Sequence, residues 1–510
     1  MKLRTVATRM LVCTVIAAAI MAWAASLSPA TAAKKVPRAV TIARTTVIPN
    51  CTTFVDAAFA GTSNGTATRP FKTIAAAIVA APQGAVICVA EGAYPERLLP
   101  GIKPLTLAGG FQSGKAFKLR DSAKFVSRAI GNGSGSFLRI DDPGPSGTQL
   151  TAVDGFEISG YSQAVVRDFF LSQRFDLTNN FIHDNVCAAG GLNGAGFALA
   201  NVSGSIRNNV IARNRCDRGG AGFLIDATNE NTVTISGNLI DGNAGTEPSS
   251  SHGGGLYLFT NKLSLTANTF TGNEATGWGG GLYIGAFIGG GQPTSARLAW
   301  NVYRGNRAGG SGGGLFCDDG AKCQSEHEIF DGNCGGNIYL DSGPGTTGRF
   351  DHLTAVNAKT PDCSAPGAGV QIDADNPQSE SYSFVNAIFW GNATGQDFVA
   401  SCNAGCTGAT ISVSYSMVQK NFVNNGLPIT FGKGILTPSN PRFVGEAKSD
   451  FHLKSIFGHW TRTGPVADSV SSKALAKGDP ATPVDNNPPR AGNRTELGAY
   501  GDSAEASYMR

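Results

Sequence analysis

The sequence predicts an all-β chain: a right-handed parallel β-helix solenoid with an N-terminal helical cap and an irregular C-terminal cap. Two motifs that repeat in phase predict it, together with short β runs and the lack of any long stretch of helical periodicity. The first motif is a heptapeptide, read at Asn179 to Asn185 (NNFIHDN), Asn208 to Asn214 (NNVIARN), Gly237 to Asn243 (GNLIDGN), Ala267 to Asn273 (ANTFTGN), Trp300 to Asn306 (WNVYRGN) and His327 to Asn333 (HEIFDGN). Its final asparagines step by 29, 29, 30, 33 and 27 residues. Asn386 to Asn392 is a further copy, with weaker ones ending at Asn357 and Asn421. The second motif is a Gly-rich turn opening an apolar run, at Gly194, Gly220, Gly253, Gly279, Gly312, Gly335 and Gly367. Aligned on its first large apolar residue, it runs from Phe197 to Val370 in steps of about 29.

Each element follows from this period. Stacked coils place each strand beside its copy about 4.8 Å away, so equivalent residues form columns. The columns Phe181, Val210, Leu239, Thr269, Val302, Ile329 and Ile182, Ile211, Ile240, Phe270, Tyr303, Phe330 are mostly apolar. One is expected inside and the other against a turn or covering loop. The final asparagines suit left-handed turns and side-chain ladders between coils. No Gly-rich segment is followed by Lys-Ser/Thr, and each opens a strand, which argues against a phosphate loop.

A solenoid needs caps over its apolar ends. Within residues 51–120, Pro70 is expected to open a helix with Phe71, Ile74, Ile78 and Ala81 on one face, stopped at Pro82, before a strand at Ala85 to Val89. The expected organisation is a signal peptide at 1–33, a linker at 34–50, the solenoid with its N-terminal cap at 51–430, and a Pro-rich cap or tail at 431–510. Lys2, Arg4 and Arg9, an apolar Leu11 to Leu27 and the small residues Ala30 to Ala32 carry the signal-peptide expectation. Secretion, a periplasmic position or display on the cell surface follows, with no membrane span in the mature chain.

Charge excludes one class of partner. The formal charge is +4, and three of those positives lie in the expected signal peptide, leaving about +1. Nucleic acid is not expected from so neutral a chain. Ten cysteines remain after Cys13, an even number that suggests disulfides. Cys187 and Cys216 sit one repeat apart, two residues after a repeat asparagine, so neighbouring coils bring them close. Cys317/Cys323 and Cys402/Cys406 suit short local loops, and Cys51/Cys88 and Cys334/Cys363 are further candidate pairs. Zinc is not expected, because these spacings lack paired histidines.

Several runs resemble known families. Phe54-Val55-Asp56, Gly61 to Gly65, Pro70 to Ile74 and Val89 to Leu98 (VAEGAYPERL) resemble the start of secreted pectate-lyase-like β-helix proteins. Phe270 to Asn273 and Gly253 to Leu256 are similar to repeats of bacterial surface adhesins. Pro441 to Val444, Asp450 to Leu453, Gly478 to Pro480 and Glu496 to Gly501 resemble the end of β-helix proteins with surface-sorting C-termini. The resemblance implies the fold and leaves the activity open, since one scaffold hosts many.

The fifth heptapeptide position supplies the candidate chemistry: His183, Ala212, Asp241, Thr271, Arg304 and Asp331. Facing outward, Asp241 and Arg304 would stand roughly 10 Å apart, and Arg304 and Asp331 about 5 Å. Asp241, Arg304 and Asp331 are the catalytic candidates, through carboxylate acid/base work or, as resemblance to β-helix lyases implies, proton abstraction by Arg304. The alternative is a solvated column with one salt bridge. His183, Trp278 and Trp390 are ligand-binding candidates, and Tyr257 and Tyr283 are further aromatics suited to sugar rings or to packing. No metal site is assigned. Calcium enters as a cofactor only for a lyase, with Asp318-Asp319, Asp373 with Asp375, and Asp141-Asp142 as acidic pairs. His252 and His327 have no nucleophile at defined spacing, so no triad is supported. The expected function is binding of extended polysaccharide or another surface ligand. The alternatives are a polysaccharide lyase or glycoside hydrolase of the pectate-lyase-like class, or a structural spacer.

Overall fold

The computed structural model describes residues 44–510 except 100–102, 141–146, 168–172, 188–193, 226–230, 248–250, 261, 286–293, 319, 343–345, 375–379, 394, 403–405, 407 and 510. The expected signal peptide and most of the linker, with Asp141, Asp142, Asp319 and Asp375, lie outside the described residues. The remaining chain winds as a right-handed parallel β-helix. A first sheet of 14 parallel strands runs from Thr53–Val55 to Ile429–Phe431. A second of 11 runs from Gly92–Tyr94 to Ile388–Trp390, and a third of 11 from Leu138–Ile140 to Val423–Asn425. A fourth, of two-residue strands, joins Arg215–Cys216, Ala244–Gly245, Glu274–Ala275 and Arg307–Ala308.

The heptapeptide makes the second sheet and both of its corners. Its first and sixth residues adopt left-handed backbone, as at Asn179 (φ 56°) and Asp184 (φ 51°), Asn208 (φ 54°) and Arg213 (φ 55°). The three residues between them form the strand, with Phe181, Ile182 and His183 paired to Val210, Ile211 and Ala212. Of the two apolar columns, Ile182, Ile211, Ile240, Phe270, Tyr303 and Phe330 point inward and are fully buried. Phe270, Tyr303 and Phe330 stack at centroid distances of 5.0 and 4.4 Å, close to the coil repeat.

Each left-handed residue of these six heptapeptides is followed by a buried asparagine, save His327, which Glu328 follows. The expected ladder runs through Asn185, Asn214, Asn243, Asn273, Asn306 and Asn333, ending on Asn337. A second ladder, unread in the sequence, uses the second heptapeptide position: Asn180, Asn209, Asn238, Asn268 and Asn301, closing on Glu328. These side chains satisfy the backbone groups that a sharp corner removes from the sheet ladder.

The third sheet corrects one alignment. Phe197 pairs with Gly222, not with Phe223, while Leu256, Leu282, Leu315, Ile338 and Val370 follow in register. A Cβ at Gly222 would collide with the Phe197 ring, so the ring fills the space that glycine leaves. Phe223 faces outward instead, at the head of a column with Tyr257, Tyr283, Phe316 and Tyr339 spaced 4.6 to 5.5 Å apart.

The N-terminal cap contains the helix Ile74–Ala80, which buries Ile74, Ala77 and Ile78 against the first coils. Pro70 does not open it. Phe71 is drawn into extended pairing, donating to Phe54 O and accepting from Asp56 N at 2.8 Å each. Thr73 is the N-cap, and the Glu96 carboxylate accepts from Ile74 N and Ala75 N at 2.8 Å. Five disulfides join Cys51–Cys88, Cys187–Cys216, Cys317–Cys323, Cys334–Cys363 and Cys402–Cys406, the three pairs argued from spacing and the two further candidates.

Beyond Phe431 the chain packs along the side of the coils. The antiparallel hairpin Phe443–Gly445/Asp450–Leu453 and irregular segments to residue 509 lie on the outer face of the second sheet. Phe443, Phe451, Leu453, Ala474, Leu497 and Ala499 form one buried cluster with Ile329, Val356, Ile388 and Met417. The outward apolar column is thereby covered over its C-terminal half.

Candidate functional site

The fifth-position column forms in the predicted register: His183, Ala212, Asp241, Thr271, Arg304 and Asp331 are successive strand partners. His183 is bonded through Nδ1 to Asp184 at 2.6 Å and faces Glu157 with Nε2 at 3.5 Å, and its ring stacks on Phe181 at 4.0 Å. The His183 contact is the chief reason the Glu157 carboxyl lies below its usual range. At the other end Arg304 Nε lies 3.4 Å from Asp331. Asp331 also accepts from Asn357 Nδ2 at 3.3 Å and from Ser449 Oγ of the C-terminal segment at 2.5 Å. Arg304 and Asp331 thus sit together, with Asp241 two coils away beyond Thr271.

The aromatic candidates separate. Tyr257 and Tyr283 are buried in the third-sheet column, and the Tyr283 hydroxyl bonds Asp318. Asp373 likewise accepts from the Tyr339 hydroxyl. Trp278 is 44% exposed and lies flat on His252 at 4.8 Å. Burial, and then the nearby Arg218, push the His252 imidazole down to about 4. Trp390 lines a groove of about 470 Å³ near the last coils, with Asn392, Asp397, Gln419, Lys420 and Asn421. Among the described residues, no three His, Cys, Asp or Glu side chains gather in a way that could hold a metal ion.

A further cleft was not foreseen. Two contiguous grooves, of about 650 and 370 Å³, share Arg297 and Glu326. One wall is the outer face of the first sheet, where Arg297, Gln324 and Arg349 are successive strand partners beside Glu326 and Asp351. The opposite wall is the C-terminal segment, with Asn486, Asp502, Ser503, Ala504 and Glu505. At the rim, the left-handed corner residues form a stack: Trp300 on His327 at 4.0 Å, and His327 on His352 at 4.9 Å. The coil before Trp300 places only Ala267 in this column, its N–H donating to Ala299 O as that of Trp300 donates to Glu326 O. The indole therefore keeps one face uncovered by an aromatic neighbour and is 37% exposed.

The histidines anchor the C-terminal wall. His327 Nδ1 meets Ala499 O at 2.9 Å, and His352 Nε2 meets Thr495 Oγ1 at 3.0 Å. Burial, then His352, push the His327 imidazole down to about 4, so it is neutral near pH 7. Inside the cleft, Arg297 pairs with Glu326 at 2.5 Å and Arg349 with Asp351 at 2.8 Å. Burial acts to raise the Asp351 carboxyl, but contacts with His352, Asn386 and Arg349 outweigh it and hold the group at about 2. No local motif marks this cleft: its walls come from segments some 150 residues apart, and only the folded C-terminal segment brings them together.

Among known proteins, residues 152–357 match the family model described as a right handed beta helix region. That span covers the coils bearing most of both asparagine ladders. No curated protein and no solved structure matches the chain at a significant level.

Proposed function

We propose that this right-handed β-helix acts outside the cytosol by binding an extended polysaccharide in the cleft between the Trp300 corner and the C-terminal segment. The open indole face of Trp300 carries the reading. A rigid aromatic platform beside fixed polar groups offers both the apolar face and the hydrogen bonds that a sugar ring requires. The polar columns repeat about every 4.8 Å along the axis, so a linear polymer meets like groups in succession. Five disulfides suit an oxidising compartment, and no helix of the described residues is long and apolar enough to cross a membrane.

Hydrolysis is the second reading, favoured by one observation. Glu326 and Asp351 are strand partners, which puts their carboxyls near the roughly 5 Å separation of retaining glycosidases. A general acid, however, needs a raised pKa. Asp351 is held at about 2, and Glu326 is engaged by Arg297. Ionised acceptors fixed by arginines serve binding better than proton donation. Titration calorimetry against a panel of soluble glycans tests the proposal. Trp300→Ala should weaken the best ligand at least tenfold while leaving the circular dichroism spectrum intact. Unchanged affinity in that variant would overturn the assignment, and release of reducing ends or unsaturated products would replace binding with catalysis.

A further inference from the structure

We infer that the cleft takes a glycan bearing ammonium groups in preference to one bearing carboxylates. The inference rests on the binding reading above and narrows it to a ligand class. Its basis is how the charges lining the cleft are already spent. The two guanidiniums of the first-sheet wall are each engaged by a carboxylate of the same wall, Arg297 by Glu326 and Arg349 by Asp351. Each guanidinium is already charge-paired through Nη2, so an incoming uronate would meet a neutralised pair in place of a free cation. His327 is buried, hydrogen-bonded to Ala499 O and neutral near pH 7, so it adds no positive charge at the rim.

The opposite wall supplies acids and no cation among its lining residues. Asp502 is held by amides, accepting from Asn486 N at 3.3 Å. Glu505 lies 3.3 Å from His452 Nε2, but that imidazole also faces Asp450 at 2.7 Å on Nδ1. One imidazolium shared by two carboxylates leaves them negative on balance, and a neutral imidazole leaves them more so. With both arginine pairs cancelling, the cleft carries surplus negative charge in either state of His452. Focused between two protein walls, such a field attracts cationic ligands and repels anionic ones. The charge alone would make no site. The ligand is placed by an independent feature, the half-exposed indole of Trp300, which lines the same cleft as Asp502 and Glu505. A sugar ring on that indole would lie in a cleft whose opposite wall carries Asp502 and Glu505.

The experiment uses three oligomers of equal length: glucosamine, its N-acetylated form, and galacturonate. Affinities are measured by titration calorimetry on the intact protein at low and high salt. The glucosamine oligomer should bind at least tenfold tighter than galacturonate at low salt, with the gap narrowing as salt screens the cleft. Asp502→Asn keeps the acceptor for the Asn486 N–H and removes one charge. It should weaken the glucosamine oligomer at least threefold and leave the N-acetylated oligomer unchanged. Galacturonate binding as tightly as glucosamine would overturn the charge preference while leaving the cleft a glycan site. Failure of all three oligomers to bind would instead count against the binding reading itself.

Discussion

Asn243 shows how one side chain holds a corner of the coil. Its Oδ1 accepts from Asn214 N and Nδ2 at 2.9 and 3.0 Å, and its Nδ2 donates to Ile211 O and Asn273 Oδ1 at 2.9 and 3.0 Å. All of this occurs at a fully buried residue. Alanine there would strip partners from buried groups in the coils on both sides at once. Asn243→Ala should therefore cost about 3 kcal/mol or more, read as a lower midpoint in urea unfolding. A cost under about 1 kcal/mol would mean that water replaces the amide. The ladder at the seventh heptapeptide position was readable because the residue recurs without exception. The ladder at the second position was present in the same heptapeptides but breaks identity at Glu328, which keeps the geometry by accepting from Asn301 N and Nδ2 at 2.9 and 3.0 Å. Repetition reveals a column, whereas a substitution that conserves only the acceptor hides it.

At the scale of elements, the C-terminal segment decides which surfaces are open. Phe451 is 2% exposed and meets Phe443 edge-on at 5.0 Å, within the cluster that seals Ile329, Val356 and Ile388. Phe451→Ala should cost about 3 to 5 kcal/mol. Because the segment packs on coils already closed by their own ladders, the loss should be local. Hydrogen exchange should accelerate across residues 443–509 and remain slow in the strands from Gln173–Thr178 to Leu282–Ile284. Uniform acceleration through the solenoid would show instead that coils and segment unfold as one unit. The same element explains what sequence reading could reach. Period and alternation identify strands, faces and neighbouring coils, so the register of the column from His183 to Asp331 and the neighbouring-coil pair Cys187–Cys216 were legible. Arg297, Asp502 and Glu505 share no period, and their meeting depends on where an aperiodic tail docks. The shift at Gly222 escaped for a related reason: motif matching aligned Phe223 with Phe197, while packing required a gap for the Phe197 ring.

For the whole molecule, buried ionisable groups inside a continuous core set a pH window. Glu328 and Glu496 are both raised by burial to about 8. A folded-state pKa above the unfolded value favours the native state fully below about 4.5, and that advantage is lost as pH rises through about 8. His252 and His327 work in the other direction. Their folded values near 4 favour the native state above about 6.5, and the advantage disappears as pH falls through about 4. Asp351, held at about 2, adds to the loss on the acid side. Stability should therefore be greatest between about pH 4.5 and 6.5 and decline on both sides. Glu328→Gln separates the contributions, because the amide oxygen can still accept from Asn301 while the group no longer ionises. The drop in melting temperature from about pH 6 to about pH 9 should be smaller in this variant than in the parent, with the acid limb unchanged. An identical alkaline drop in both proteins would show that folding does not raise the Glu328 pKa, leaving Glu496 as the group that governs the limb.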